Sequence, residues 1–166
     1  GRRSWVEDPA SYGLPDLLFK QQYMSDEQYK TEQDRQLKAF VEDKLWFEKD
    51  GQRRRVKVTP EMLRFMADLF FKRVSRAILW KPRGGGGSLA AAIEVWMTMV
   101  WYKRSWLDLA GGAEQAKVVY NYVKGFWECF PEMKRRLLAK PPLLTSTELV
   151  TGTQLSCIPA SEKAAR

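Results

Sequence analysis

The residues best suited to chemistry are a run of cations, RRRVK at positions 53–57, just before a predicted helix start. An arginine guanidinium can bind two phosphate oxygens at once, and a basic loop leading into a helix adds backbone N–H donors to the same anion site. We therefore predict that Arg53, Arg54, Arg55 and Lys57 contact the phosphates of a nucleic acid. The alternative is that they only solubilise a turn or pair with acids of the preceding helix. The acids within reach are Glu42, Glu48 and Asp50.

The charge of the chain is concentrated around this run. Residues 51–83 hold ten Lys and Arg against two acids, a net charge of +8, which equals the net charge of the whole 166-residue chain. Lys72 and Arg76 on the following helix extend the predicted nucleic-acid site, although Asp68 lies four residues from both Arg64 and Lys72 and partly neutralises that face. A second basic spot, for which a solvated surface is the alternative, comprises Lys134, Arg135 and Arg136.

Tryptophan supplies a second kind of candidate contact. Trp46 falls on the polar side of its predicted helix, where an exposed indole marks a partner surface or a base-stacking platform. Trp5 lies in an apolar N-terminal arm, and we assign both tryptophans to partner binding. The alternative is that Trp46 only packs against the arm, through Trp5 or Tyr12.

The composition argues against catalysis. The chain has no histidine, the side chain that most often performs acid–base chemistry at neutral pH, and its two cysteines, Cys129 and Cys157, form no metal-binding motif. Adjacent acids such as Glu42 and Asp43 point about 100° apart on a helix and cannot share a proton or a metal ion. We therefore predict a non-enzymatic protein with no catalytic residue, metal ion or cofactor.

Glu94 stands out because it interrupts the most apolar segment of the chain. One interpretation places it on a polar edge beside Thr98. The other makes it the buried partner of an arginine, either Arg104 or a member of the basic segment.

Positions 84–88 read GGGGS, the unit used in designed spacers. We favour an engineered joint, which replaces a loop or fuses two chains, over a natural low-complexity loop. No Lys-Ser or Lys-Thr follows the glycines, so the segment does not match a phosphate-binding P-loop.

Helical periodicity and capping signals predict four main helices. Ser25 begins the first, Thr59-Pro60 begins the second, and Lys81-Pro82 ends the second. The predicted helices cover residues 26–49, 60–80, 89–110 and 113–130, followed by a short basic helix from 131 to about 140. The third is apolar around most of its circumference and should be the central helix of the core.

These elements predict an all-α, single-domain bundle. Residues 1–24 form an N-terminal arm, residues 25–140 the helical domain, and residues 141–166 an extended or disordered tail. Removal of 145–166 should therefore change the melting temperature little.

The sequence thus favours a non-enzymatic nucleic-acid-binding component of a larger assembly. The alternative is a helical adaptor that recognises an acidic protein partner, and either protein can be an oligomer or part of a hetero-complex. The low cysteine content favours a reducing intracellular compartment, cytoplasm or nucleus. The longest weakly polar run, Leu89–Tyr102, is too short to cross a bilayer, so we expect no membrane association.

Overall fold

A computed structural model of the chain describes residues 24–77, 87–110 and 113–159. These ranges contain five helices and five strands, in the order α1, β1, β2, α2, α3, β3, α4, α5, β4, β5. The helices are α1 (Asp26–Lys44), α2 (Pro60–Phe70), α3 (Gly87–Tyr102), α4 (Ala113–Trp127) and α5 (Pro131–Leu137). The strands are β1 (Trp46–Lys49), β2 (Gln52–Arg55), β3 (Trp106–Ala110), β4 (Ser146–Glu148) and β5 (Gln154–Pro159). The strands form two small sheets, so the all-α prediction is wrong.

The helix starts predicted from the sequence are confirmed. The Ser25 hydroxyl accepts from the Gln28 N–H while the Gln28 side chain accepts from the Ser25 N–H, a reciprocal capping box. The Thr59 hydroxyl accepts from the Met62 N–H, with Pro60 in the first turn. Of positions 84–88, Gly87 and Ser88 lie in the first turn of α3, and the other three lie outside the described residues.

The first helix is shorter than predicted because the chain turns into a hairpin. Leu45 is extended and fully buried, and β1 then pairs antiparallel with β2. Asp50 (φ 54°) and Gly51 (φ 75°) form the two-residue connection. A type I′ turn needs positive φ at both of its central residues, and its twist matches the twist of the flanking strands. Asp-Gly is a preferred pair for this turn.

The second helix ends at Phe70 rather than near residue 80. Lys72 adopts a left-handed conformation, φ 58°, and its N–H bonds to the Leu69 carbonyl while the Arg73 N–H bonds to the Asp68 carbonyl. This pair of bonds is a Schellman motif, in which the left-handed position is usually glycine. Lysine at this position therefore carries a backbone cost of roughly 1 kcal/mol.

The third helix is the centre of the core, as its composition predicts. Every residue from 92 to 100 is buried, including Trp96, which stacks on Phe130 at 5.4 Å between ring centroids. Trp127 of α4 meets Trp96 edge-on at 5.9 Å. Trp101 contacts Phe40 of α1 and Phe70 of α2, both edge-on, and Phe40 also stacks on Phe130.

The prediction of a helix to residue 110 is wrong, and so, up to residue 159, is that of a flexible tail, because β3, β5 and β4 build one sheet. Residues 160–166 of the predicted tail lie outside the described residues. The central strand β5 pairs parallel with β3, Trp106 opposite Leu155, and antiparallel with β4. Leu149, Leu155 and Cys157 are buried within the segment assigned to the tail. Residues 145–159 therefore belong to the folded core, and their removal would expose it.

Besides apolar packing, the Tyr120 hydroxyl group connects this segment to α4 by hydrogen bonds. The Tyr120 hydroxyl lies 2.6 Å from the Ser146 carbonyl oxygen, 2.7 Å from that of Leu143 and 3.0 Å from Thr147 Oγ1. Burial raises the pKa of the Tyr120 phenol, so the group stays protonated and can donate. Tyr120 thus fixes the start of β4 against the helix.

We predict that Tyr120→Phe lowers the free energy of unfolding by about 1–3 kcal/mol, because buried acceptors lose their donor. Tyr122→Phe is the matched control: Tyr122 lies two residues along α4, and its hydroxyl makes no hydrogen bond within the described residues. Urea denaturation of both variants measures the difference. Equal stabilities would show that this hydroxyl does not hold the C-terminal sheet in place.

Candidate nucleic-acid interface

The hairpin β1–β2 carries the basic run and is held against α4. Phe47 meets Tyr122 edge-on, 5.8 Å between ring centroids, and the Trp46 N–H donates to Cys129 Sγ at 3.4 Å. The strand β2 contributes the exposed sequence QRRR. Because β1 covers the side toward α4, β2 presents its side chains to solvent.

The hairpin register sorts the arginines onto two faces. Arg55 lies opposite Trp46 and Arg53 opposite Glu48, so these residues share one face, whereas Arg54 lies opposite Phe47 on the other. The Arg53 guanidinium lies 4.0 Å from the centre of the Trp46 ring, a cation–π contact. Arg55 donates to the Asp43 carbonyl at 2.7 Å, where its charge suits the negative end of the α1 dipole.

The basic residues are not neutralised by nearby acids. Arg53, Arg54, Arg55 and Lys57 are all exposed, and none forms an ion pair with a carboxylate in the described ranges. Glu42, one of the acids considered as a partner, instead accepts from the Val58 N–H at 3.0 Å. The strand β2 therefore presents three exposed arginines, of which Arg55 also bonds to a backbone carbonyl, and Lys57 follows just beyond it.

The second basic spot is arranged differently. Glu132 pairs with Arg135 at 2.7 Å and with Arg136 at 2.6 Å, and Lys134 pairs with Glu128. These pairs lower the pKa of the Glu132 carboxyl, chiefly through the hydrogen bond from Arg135. The spot is a locally compensated surface and is a poor candidate for binding an anion.

Trp46 is half-buried on β1 and not on a helix. One face of its ring carries Arg53, so the indole and the guanidinium form a stacked pair at the base of the hairpin. Trp5 lies outside the described residues.

Lys72 and Arg76 are not part of the hairpin cluster. They follow the C-terminal end of α2, whose 11 residues span roughly 16 Å from the hairpin end. Lys72 Nζ lies 4.4 Å from the centre of the Tyr102 ring, and Arg76 is exposed. Asp68, predicted to offset Lys72, instead pairs with Arg73 at 3.3 Å.

The hairpin also borders a cleft of about 440 Å³ against α4. Its lining includes Trp46, Phe47, Asn121 and Tyr122, together with the carboxylates of Glu48 and Glu128. Two carboxylates disfavour a phosphate there, so the anion-binding side of the hairpin is the exposed surface of β2.

Sequence reasoning missed the residues that orient this surface. Cys129 and Tyr122 fix β1 on α4, and neither carries a local signal for that role. The Asp50-Gly51 pair does carry a local signal, since it is typical of a two-residue hairpin turn, but the helix predicted over residues 26–49 leaves no strand before that turn.

No protein-family model matches this sequence, and no curated protein is significantly similar to it. Across residues 24–77, 87–110 and 113–159, no helix is long and apolar enough to span a bilayer. The same residues contain no group of His, Cys, Asp and Glu side chains that could hold a metal ion.

Glu94 is buried in α3, with 3% of its surface exposed. Burial raises the pKa of its carboxyl from 4.5 to about 8, and the charge of Arg104 opposes the shift only in part. Arg104 is itself exposed, so Glu94 is not one half of a closed ion pair. At neutral pH the carboxyl is mostly protonated, as expected for an acid surrounded by apolar side chains.

We predict that stability falls as pH rises from about 4.5 to 8, because across this range the folded state binds a proton at Glu94 that the unfolded state has released. The loss is on the order of a few kcal/mol. Glu94→Gln should flatten this part of the profile, while Glu61→Gln, which removes an exposed carboxylate, serves as the control. Urea denaturation at pH 5 and pH 8 measures the slopes, and parallel profiles for wild type and Glu94→Gln would contradict the assignment.

Proposed function

We propose that the protein is a non-enzymatic nucleic-acid-binding component of a larger assembly. The observation that carries the proposal is the set of exposed cations on β2 and just beyond it, Arg53, Arg54 and Lys57, which lack carboxylate partners in the described chain. Exposed guanidinium and ammonium groups without a carboxylate partner can bind phosphate oxygens in place of water and counterions. The hairpin holds them on a short, fixed scaffold.

The Arg53–Trp46 pair adds a flat surface to this cluster. An indole with a guanidinium stacked on it offers π faces to an unpaired base, in addition to the charge that binds the backbone. This combination favours single-stranded regions over a uniform duplex. Lys72 and Arg76 lie too far along α2 to join the same contact and belong to a separate surface.

An acidic protein partner is the second candidate, and one further feature supports an interaction with protein. Three apolar side chains lie on the same side of the three-stranded sheet, those of Leu107 and Leu109 of β3 and Ile158 of β5. They are between 41% and 58% exposed. Exposed apolar clusters of this kind favour contact with another protein. We therefore expect the chain to function within an oligomer or a hetero-complex.

Both cysteines are free thiols, with Cys157 buried and Cys129 half-buried. Burial raises the pKa of both thiols, so the reactive thiolate is disfavoured. We propose a reducing intracellular compartment, cytoplasm or nucleus, and two free thiols support this proposal.

The test is a binding titration with labelled single-stranded RNA, single-stranded DNA and duplex DNA across a range of salt. We predict that the combined variant Arg53→Ala, Arg54→Ala, Lys57→Ala weakens binding and lowers the log–log salt slope by roughly two to three, since each lost phosphate contact contributes about 0.7–0.9. Arg55 is kept because its hydrogen bond caps α1. Folding should be preserved, because exposed charges contribute roughly 0–1 kcal/mol each.

The matched control is Arg135→Ala, Arg136→Ala, which removes exposed arginines already paired with Glu132. It should leave affinity and salt slope nearly unchanged. Losses of equal size per charge removed, three charges in one variant and two in the other, would reduce the effect to net charge and contradict the hairpin assignment. Absence of binding to all three nucleic acids at low salt would favour the acidic-protein alternative.

A further inference from the structure

The cleft between the hairpin and α4 adjoins the cations of β2 but does not itself suit a phosphate. Its volume of about 440 Å³ is within the usual range of ligand sites, roughly 300–1,000 Å³. Trp46 belongs to both places, because its indole lines the cleft and also carries the Arg53 guanidinium. A strand whose phosphates lie on β2 can therefore place a base at this cleft.

The walls of the cleft are largely apolar. Phe47 and Tyr122 meet edge-on at 5.8 Å between ring centroids, so the hairpin and α4 hold each other's ring in place. Val118, another lining residue, is 43% exposed. Tyr122 is half-buried, and its hydroxyl makes no hydrogen bond within the described residues. Partly exposed aromatic rings of this kind stack on unpaired bases.

Gly125 keeps the α4 side of the cleft open. It lies in the last turn of α4 and lines the cleft, and a Cβ added to it would meet no other atom within 4 Å. Its φ is not positive, so the backbone does not require glycine at this position. Because glycine is less favourable than alanine in a helix, the absence of a side chain is best explained by the room that it leaves in the cleft.

Two polar side chains of the cleft have no partner in the described part of the chain. Glu48 is exposed and forms no ion pair there, and Arg53, which lies opposite it on β2, contacts Trp46 instead. Asn121 is also exposed, and its amide makes no hydrogen bond to the residues that the structure describes. A ligand in the cleft can therefore bind both groups without breaking an existing contact.

The charge around the cleft suits a neutral group. The second lining carboxylate, Glu128, is already paired with Lys134, so Glu48 alone carries an uncompensated charge among the lining residues. That carboxylate repels an anion, whereas the exposed arginines of β2 nearby repel a cation. A neutral base that donates hydrogen bonds avoids both penalties.

The chemistry of a carboxylate selects among the bases. It accepts hydrogen bonds and cannot donate them, so Glu48 favours a base that presents donors. Adenine, cytosine and guanine carry an exocyclic amino group, whereas uracil and thymine carry carbonyl oxygens instead. Guanine presents its ring N–H and its amino group side by side, which matches the two oxygens of the carboxylate. The Asn121 amide can donate and accept, and so can bind a further atom of the same base.

We propose that the cleft holds one unpaired base with an exocyclic amino group, and guanine most tightly, from a strand whose phosphates lie on β2. The base stacks on Tyr122, and Glu48 accepts its hydrogen bonds. Gly125 leaves the space that the base fills. This inference rests on the nucleic-acid-binding function proposed above and adds a base preference to it.

Fluorescence anisotropy with the full chain tests the proposal, using four labelled RNA strands that differ only in one central base among flanking uracils. The phosphates are the same in all four strands, so differences in affinity report the base alone. We expect the guanine strand to bind about tenfold more tightly than the all-uracil strand, with adenine and cytosine between them. Equal affinities for the guanine and all-uracil strands would overturn the proposal.

Gly125→Leu tests the place of the base. The leucine side chain would fill the cleft, so the guanine preference should be lost, while the salt slope, which depends on the phosphates, should stay the same. Leucine is a better helix former than glycine, so the fold should be kept, and thermal melting checks this. Ala39→Leu, which puts the same side chain on an exposed position of α1 outside the cleft, is the control. A preference that is equal in the two variants would overturn the proposal.

Glu48→Gln tests the hydrogen bonds without filling the cleft. The ratio of guanine to uracil affinity should fall, because the amide presents a donor in place of one acceptor oxygen. Glu61→Gln removes the same charge from an exposed position on α2 and should leave the ratio unchanged. Equal ratios in these two variants would contradict the role of Glu48.

The same titrations separate this inference from the function on which it rests. Absence of binding to all four strands by the wild type would contradict both. Binding to all four strands with equal affinity, weakened by the hairpin variant Arg53→Ala, Arg54→Ala, Lys57→Ala, would keep the nucleic-acid-binding function and overturn the base cleft alone.

Discussion

The need to cover α3 on every side constrains the rest of the structure. Its residues 92–100 are all buried, so each neighbouring element must contribute an apolar surface. The helices α1, α2 and α4 supply aromatic rings that meet Trp96 or Trp101, and Phe130 stacks on Trp96. Trp106 of β3 donates its indole N–H to Thr98 at 2.7 Å, which ties the three-stranded sheet to the same helix.

This arrangement explains why the charged residues lie where they do. A core centred on one apolar helix has no room for cations, because an unpaired buried charge costs several kcal/mol. Glu94 can be buried because its carboxyl group stays protonated and therefore uncharged. Arginine cannot lose its charge in this way. The basic residues accordingly lie at the surface, among them those of the hairpin, which packs against α4, and those of the segment that follows α2.

The sequence predicted those parts of the fold that depend on neighbouring residues. Ser25 and Thr59-Pro60 specify their helix starts through local hydrogen bonds, and the apolar circumference of α3 indicates its burial. The hairpin was missed because Phe47 fits an apolar helical sector as well as it fits a strand, and we gave periodicity more weight than Asp50-Gly51. The parallel pairing of β3 with β5 joins residues about fifty apart, and no local pattern records it. The same holds for the candidate site: composition identifies the basic run, but only the register of β1 on β2 places Arg53 over Trp46.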